Sequence, residues 1–454
     1  MKQFIVTGLL GLAFIVIVVP AVQASENPLD GYSGYTNFYS LDYVNGTGFG
    51  PYQSGDVQVK INIGGVANGA TSIDSIGGVT LNAIDVDTGS RGLFVSADTL
   101  DSYGATNSNS FAGTIDLTSS KRVYTGYYTP TPVNFNVTDQ NNAAAVATAY
   151  IPVLNVQTLG SESNGSANYT ANIDHGRLNL VDGGTLDFTG RSFTLTNGQA
   201  VSYSNNAGIL PSVSNFGIGF FVGGNTTTGP VGNNTNQIYN AFLNLTNMVS
   251  GSMVSGYIIK EDKIQLGLTA NTTNFAYTQL EPTGLSSTNS VPDWKPSRGE
   301  IVVNGVTNGP GEVILDTGIA YAFAGLTNPT GWNDGSSNSL SINLLNSTNV
   351  GYNFNVKADK TTDPTLAGPN SVSNYVSATD TFYNSGRNVF NAFDMLYDGQ
   401  NGYIGLVTNT YGAPNSNVFF QAGFYPSPVP EPSTYALLGL GTLGLISVMR
   451  RKFV

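Results

Sequence analysis

Short runs of alternating apolar and polar residues recur along the chain and end at small or polar residues. Residues 56–63 alternate in this way and stop at Gly64 and Gly65, and similar runs occupy 133–137 and 301–303. Alternation with a period of two is typical of a β-strand with one buried face, and Asn, Gly, Ser and Thr clusters are typical of the turns between strands. The pattern predicts an all-β fold.

Helical spacing of apolar residues is clearest in one segment. Residues 237–249 place Ile238, Phe242, Leu245 and Val249 on one side of a helix. We therefore expect a helix there and only a few short helices elsewhere.

The apolar stretch at each end of the chain is typical of a targeting signal. Lys2 precedes an apolar segment that ends in small residues at 22–24, which predicts a signal peptide over 1–24. Near the other end, residues 435–449 are apolar and the basic cluster 450–452 follows them. That segment is shorter than the roughly 17–25 residues of an unaided span, and its basic end is expected to stay cytoplasmic. We expect a transient anchor in the inner membrane.

Composition narrows the chemistry that is available to the chain. It has 454 residues, no cysteine and one histidine, His175, which excludes disulfides, thiol nucleophiles, cysteine-ligated metals and multi-histidine metal sites. We expect no metal and no cofactor. The net charge of −12 makes nucleic acid a poor partner. Carboxylates, hydroxyls and backbone groups are left to carry any reaction.

One short motif occurs twice in the same setting. Asp-Thr-Gly begins at Asp87 after the apolar-rich residues 82–86, and begins again at Asp316 after 312–315. An apolar segment follows each copy. The repeat indicates two related lobes, each presenting one aspartate on a tight turn.

Two carboxylates held across a cleft can perform general acid–base chemistry without a metal. Like charges in contact cannot both ionise cheaply, so the pair shares a proton. The charged member can deprotonate a bound water while the protonated member polarises a carbonyl. The threonine hydroxyls and glycine N–H groups of the motif can hold the two turns in place.

The C-terminal segment resembles the PEP-CTERM sorting signal of exported bacterial proteins. The resemblance rests on Pro430, Glu431 and Pro432, the apolar segment and the basic end. It implies recognition by an exosortase-type enzyme, removal of the tail, and a destination at the cell surface or in the extracellular matrix, where such proteins are often associated with polysaccharide.

Most of residues 56–408 resembles a pepsin-like (A1-type) aspartic protease. The two Asp-Thr-Gly turns carry the resemblance most specifically, together with the closing motif at 401–406. Looser similarity in family order covers the opening strand 56–64, the apolar-glycine segment 216–220, the stretches 238–257 and 264–267, and the strands 294–303.

The resemblance implies a bilobal acid-protease fold with a cleft between the lobes, and an endopeptidase that cleaves polypeptides with a water held between Asp87 and Asp316. A flap tyrosine would close over the substrate, with Tyr124 as the first candidate and Tyr127 as the alternative. The supporting residues that it implies are Thr88, Gly89, Ser90, Thr317 and Gly318.

These predictions divide the chain into five parts: a signal peptide (1–24), an N-terminal extension (25–55), an N-terminal lobe (56–260), a C-terminal lobe (261–425) and the sorting signal with its short membrane segment and basic tail (426–454).

Two alternatives to the protease remain open. Ile319 stands where the family usually has a hydroxyl residue, and Arg91 would place a cation near the dyad and lower its pKa values. Both departures weaken the protease interpretation. The missing hydroxyl at Ile319, together with Pro130 and Pro132 in the flap hairpin, favours a catalytically inactive binding or extracellular-matrix protein on the same scaffold. The other alternative is an unrelated β-rich exported protein with two coincidental turns. Asp85 is either a further carboxylate near the site or an exposed residue, and we favour the exposed position.

Overall fold

The computed structural model describes residues 27–425, except for 45–47, 51–55, 97–109, 118–121, 163–168, 174–176, 180–184, 188–191, 195–199, 203–213, 220–238, 271–273, 287–291, 334, 364 and 377–379. The predicted signal peptide, the sorting signal with Pro430, Glu431 and Pro432, and His175 lie outside the described residues.

The described residues are predominantly β-strand, which confirms the predicted all-β class. The strands are β1 (Tyr39–Asp42), β2 (Gln58–Ile63), β3 (Val79–Asp87), β4 (Arg91–Ser96), β5 (Phe111–Leu117), β6 (Arg122–Asp139), β7 (Ala144–Glu162), β8 (Tyr169–Ile173), β9 (Arg177–Asn179), β10 (Thr185–Asp187), β11 (Ser192–Thr194), β12 (Ala200–Ser202), β13 (Ser214–Ile218), β14 (Val254–Ile259), β15 (Lys263–Leu268), β16 (Ala276–Gln279), β17 (Pro282–Ser286), β18 (Pro292–Trp294), β19 (Ser297–Val303), β20 (Val306–Ile314), β21 (Ala322–Leu326), β22 (Asn338–Asn343), β23 (Val350–Val356), β24 (Val372–Val376), β25 (Phe382–Asn384), β26 (Phe393–Asp398), β27 (Tyr403–Thr408), β28 (Val418–Phe420) and β29 (Gly423–Tyr425).

The three alternating runs of the sequence all form strands. They lie in β2, β6 and β19, and in β19 every second residue is buried, as a period of two requires. Strand pairing satisfies the backbone polar groups, and the apolar faces pack into a core that includes Ile61, Phe135 and Ile301.

Helical structure is short, and the predicted helix over 237–249 is wrong in its length. Its described part is a 3-10 turn, Ala241–Leu243, followed by the one-turn helix α1, Thr246–Val249. The Asn240 side chain accepts a hydrogen bond from the N–H of Phe242, at 2.9 Å, and Asn244 donates to the Asn240 carbonyl oxygen, at 2.8 Å. Asparagine side chains therefore replace the bonds that would continue a helix. The other 3-10 turns are Asp30–Tyr32, Ile73–Ser75, Pro329–Gly331 and Arg387–Asn391.

Most strands belong to two sheets. The larger sheet has fifteen strands in the order β29-β16-β27-β26-β14-β15-β1-β6-β2-β3-β13-β4-β7-β8, with β5 beside β6. The second has eight, in the order β24-β21-β25-β20-β19-β22-β23-β28. Three two-stranded pairings, β9 with β10, β11 with β12 and β17 with β18, complete the described pattern.

The same local arrangement occurs once in each large sheet. In the first, β13 lies between β3 and β4, parallel to β3 and antiparallel to β4. In the second, β25 lies between β20 and β21 with the same two directions. We call β13 and β25 the crossing strands. Asp87 ends β3 and Asp316 follows β20, so each aspartate lies beside a crossing strand.

The predicted lobe boundary falls at a tight turn within one sheet. Residues 260–262 connect β14 to β15, and both strands belong to the fifteen-stranded sheet. The N-terminal extension supplies β1, which pairs with β15 on one side and with β6 on the other. The extension is therefore an integral part of this sheet, while the division into two lobes stays a prediction.

In the part of the chain that the structure describes, no helix has the length and apolar character needed to cross a membrane.

Candidate active site

The structure brings the two Asp-Thr-Gly turns face to face. A Cβ atom added to Gly89 would lie 2.2 Å from the carboxyl carbon of Asp316. A Cβ atom on Gly318 would lie 2.6 Å from the carboxyl carbon of Asp87. Each carboxyl group therefore lies against the glycine of the opposite turn, where any side chain would collide with it.

The two threonines of the turns form a reciprocal hydrogen-bond lattice. The N–H of Thr88 donates to Thr317 Oγ1, and the N–H of Thr317 donates to Thr88 Oγ1, each at 2.9 Å. Thr88 Oγ1 donates to the Leu315 carbonyl oxygen at 2.6 Å, and Thr317 Oγ1 donates to that of Val86 at 2.5 Å. Both threonines are buried. These four bonds join the chain segments before and after each aspartate across an approximate twofold relation.

Each aspartate is also held by its own turn. The N–H of Gly89 donates to Asp87 Oδ1, and the N–H of Gly318 donates to Asp316 Oδ1, both at 2.8 Å. These bonds fix the rotation of each carboxyl group and stabilise its charged form.

The second oxygen of each carboxyl group is held by side chains, and here the two halves differ. Asp87 Oδ2 accepts from Ser90 Oγ at 2.6 Å and from Asn215 Nδ2 at 3.1 Å. Asp316 Oδ2 accepts from Asn384 Nδ2 at 2.6 Å. Ile319 follows Asp316 by three residues, as Ser90 follows Asp87, and has no hydroxyl to offer.

The sequence analysis missed both asparagines. They lie on the crossing strands, Asn215 on β13 and Asn384 on β25. A signal was present, because each begins an Asn-Xaa-Gly triplet that ends at Gly217 or Gly386. In a chain rich in asparagine this triplet is too weak a signal without the strand register.

Burial and mutual contact set the electrostatics of the pair. Asp316 is 3% exposed, whereas Asp87 is partly exposed. Burial raises the pKa of Asp316 to about 7, and the neighbouring Asp87 carboxylate, close enough to hydrogen-bond with it, adds to the rise. Asp316 therefore carries the proton in acidic solution, below about pH 7. Two groups that interact this strongly titrate as a pair.

Arg91 does not have the effect that the sequence suggested. Its side chain is buried, and its electrostatic neighbours are Tyr128, Tyr239 and Asp293. Burial lowers the pKa of Arg91. The pKa of Asp316 is raised, so the expected lowering by Arg91 is not found there.

Asp85 is half-buried, and our preference for an exposed position was wrong. Gln58 Nε2 donates to Asp85 Oδ1 at 2.8 Å. Burial raises the pKa of Asp85, and the charges of Asp56 and Asp87 add to the rise. The hydrogen bond from Gln58 and the charge of Arg387 oppose it. Arg387 forms an ion pair with Asp56, which connects the segment after β25 to the start of β2.

The two flap candidates lie on the hairpin of β5 and β6, and both are buried. The ring of Tyr124 lies 4.6 Å from that of Phe94, centroid to centroid. Phe94 is paired with Asn215 in the register of β4 and β13. Tyr127 instead lies in the main core, where Asn155 Nδ2 donates to its hydroxyl at 2.6 Å. Tyr124 is thus the candidate with a packed connection toward Asp87, and the flap role stays a prediction.

Within the described residues no group of three or more Asp, Glu, His or Cys side chains is arranged to hold a metal ion. The chemistry that this arrangement permits is proton transfer by two carboxyl groups of different protonation.

The comparison with known families places a sorting signal at the C-terminus. Residues 428–452 match the PEP-CTERM protein-sorting motif. The match supports export, membrane anchoring through the C-terminal segment before processing, and recognition by an exosortase-type enzyme. No curated protein matches the chain.

Proposed function

We propose that this protein is an exported aspartic endopeptidase with a pepsin-like bilobal fold. The observation that carries the proposal is the contact between the Asp87 and Asp316 carboxyl groups, each held by a glycine N–H of its own turn. The reciprocal threonine lattice and the repeated crossing-strand arrangement give further support.

The reaction would begin with a water held between the two carboxyl groups. Charged Asp87 takes a proton from this water, and the oxygen attacks the peptide carbonyl carbon. Protonated Asp316 donates its proton to the carbonyl oxygen, so that no free oxyanion forms. Asp87 then returns a proton to the leaving amine as the C–N bond breaks, and a hydroxyl group of the tetrahedral intermediate gives its proton back to Asp316 as the product carboxyl group forms. Each proton is taken and returned by a group of suitable protonation.

The proposed site of action is the cell surface or the extracellular matrix. The C-terminal motif at 428–452 supports export and membrane anchoring before processing. The substrate would be a polypeptide that lies extended in a cleft between the lobes, under the β5–β6 hairpin.

Peptide hydrolysis by the purified protein at acidic pH tests the proposal directly. The native protein should cleave a mixed peptide library, and pepstatin, an inhibitor of pepsin-like enzymes, should suppress cleavage. Asp316→Asn should reduce kcat by at least about 10³-fold, because a step that needs a donated proton loses its donor. Asp42→Asn, at an exposed position of β1, should leave the rate unchanged.

Ile319 favours a second candidate, a catalytically inactive binding protein on the same scaffold. That candidate predicts no cleavage by the native protein at any pH. Cleavage that survives in Asp316→Asn would contradict the dyad, whichever protein class is correct.

A further inference from the structure

The two halves of the site carry an asparagine at equivalent positions. In β13, Phe216 pairs with Val86, which places Asn215 level with Asp85, two residues before Asp87. In β25, Asn384 pairs with Ile314, two residues before Asp316. The antiparallel neighbours agree, since Asn215 pairs with Phe94 and Asn384 pairs with Phe323, each seven residues after its aspartate.

Hydrogen bonds fix the orientation of the Asn384 amide. Its Oδ1 accepts from the N–H of Gly386 at 3.0 Å, so its Nδ2 is the atom that faces Asp316 Oδ2. The side chain is buried, which excludes competition from bulk water. The amide is therefore a preorganised donor aimed at one carboxyl oxygen.

Asn215 acts on the other half through two acceptors. Its Nδ2 donates to Asp87 Oδ2 at 3.1 Å and to Ser90 Oγ at 2.7 Å. Ser90 Oγ in turn donates to Asp87 Oδ2. Asp87 Oδ2 thus receives two side-chain donors, while among the described residues Asp316 Oδ2 receives one, from Asn384.

We propose that Asn384 is a positioning residue that takes the place of the hydroxyl missing at Ile319, and that the unequal donor sets of the two halves decide which carboxyl group carries the charge. Asn215 and Ser90 together hold charged Asp87, and Asn384 alone orients protonated Asp316. The assignment of a catalytic purpose to this arrangement rests on the proposed function.

The physical reason is that a donor to a carboxylate stabilises its charged form more than its neutral form. Removal of the Asn384 amide should raise the upper apparent pKa of the pair, because the bond from Asn384 opposes the rise caused by burial. A bond to a charged group in a buried site corresponds to about 1–2 pH units.

The test is a titration of aspartate side chains labelled with carbon-13 at Cγ in the purified full-length protein, with Asp316 assigned by its loss in Asp316→Asn. Asn384→Ala should raise the upper apparent pKa by about 1–2 units. Ile319→Ser, combined with Asn384→Ala, should return it at least halfway, because serine restores the hydroxyl at the position equivalent to Ser90. Asn391→Ala is the matched control, since Asn391 is equally buried and donates to the Leu366 carbonyl oxygen. It should leave the value unchanged.

An unchanged upper pKa in folded Asn384→Ala, or no recovery on adding Ile319→Ser, would overturn the proposal. If Asn384→Ala does not fold, Ile319→Ser alone provides the test: Ile319 is half-exposed, and its replacement should lower the upper pKa. An unchanged pKa in that variant would also overturn the proposal.

The titration needs no substrate, so the positioning role and the proposed function can fail separately. A shifted pKa in a protein without peptidase activity would support the asparagine assignment and contradict the endopeptidase. In an active protein, Asn384→Ala should also extend the alkaline limb of the kcat profile by the same shift, which a purely structural loss would not do.

Discussion

At the residue scale, the candidate site is built from short polar side chains whose hydrogen bonds cross between the two turns. Thr88 Oγ1 both accepts from the Thr317 N–H and donates to the Leu315 carbonyl oxygen. Neither of these backbone groups has access to water at this depth, so a lost partner leaves it unsatisfied. The threonines therefore stabilise the site as well as shape it.

Thr88→Val tests this role, because valine keeps the shape of the side chain and removes the hydroxyl. Two buried backbone groups lose their partner, and we expect the free energy of unfolding to fall by about 2–5 kcal/mol. Thr246→Val, in which an exposed hydroxyl donating to the Thr148 carbonyl oxygen is lost, should cost less than about 1 kcal/mol. Denaturant unfolding of the two variants measures the difference, and equal costs would contradict the lattice as a stabilising element.

At the element scale, three short strands, β1 and the two crossing strands, each lie between two other strands and join them in one sheet. Strand β1 has four residues, yet it joins β15 to β6 and so makes one continuous sheet from the early and late parts of the chain. The crossing strands have five and three residues, and each places one asparagine beside an aspartate. Each of these strands pairs with a strand on both sides, and this position explains how so few residues can connect a sheet or place an asparagine at the site.

Leu41→Ala examines the contribution of β1. Leu41 is buried in the core between the flanking strands, so truncation should leave a cavity and lower the free energy of unfolding by about 2–5 kcal/mol. Val66→Ala, at a side chain that is 66% exposed, should change it by less than about 0.5 kcal/mol. Chemical denaturation gives both values. A loss at Leu41 as small as that at Val66 would show that β1 is dispensable.

At the scale of the whole molecule, several carboxyl groups are buried within the fold. Burial raises the pKa of Asp316 and of Asp394 to about 7, and that of Asp398 to about 6. Asp398 accepts a hydrogen bond from the hydroxyl of Tyr32, at 2.8 Å, which ties the N-terminal extension to the last strands. Relative to the unfolded chain, the folded protein shifts each of these groups toward its neutral form.

These raised pKa values determine how the stability of the folded protein changes with pH. Between the ordinary carboxyl pKa of 3.8 and about 7, the folded protein binds more protons than the unfolded chain. The stabilisation is fully present below about pH 4 and is lost as the pH rises through the folded values. We expect these three groups to lower the thermal midpoint progressively between about pH 4 and about pH 7.

Differential scanning calorimetry across this range checks the prediction. Asp394→Asn should flatten the decline, because an amide cannot ionise, whereas Asp42→Asn at an exposed position should not. A thermal midpoint that rises steadily toward pH 7, with no difference between the variants, would contradict the conclusion that burial raises the pKa values of these carboxyl groups.

From the amino-acid sequence we could predict the all-β class, several strands, the C-terminal sorting signal and the pair of Asp-Thr-Gly turns. These features are local: alternation reports which face of a strand is buried, and turn residues report where a strand ends. The sequence did not predict the 3-10 turn after Asn240. The apolar spacing indicated a longer helix, but the Asn240 side chain accepts a hydrogen bond from the Phe242 N–H and the chain forms a 3-10 turn instead.

The side chains that reach the two carboxyl groups could be identified only in the folded protein. Asn215 and Asn384 lie 128 and 68 residues from the aspartates to which they donate, and strand register alone brings them there. Register and burial depend on the packing of the whole chain. The same packing places β1 at the centre of its sheet and surrounds Asp316 with enough protein to keep its proton.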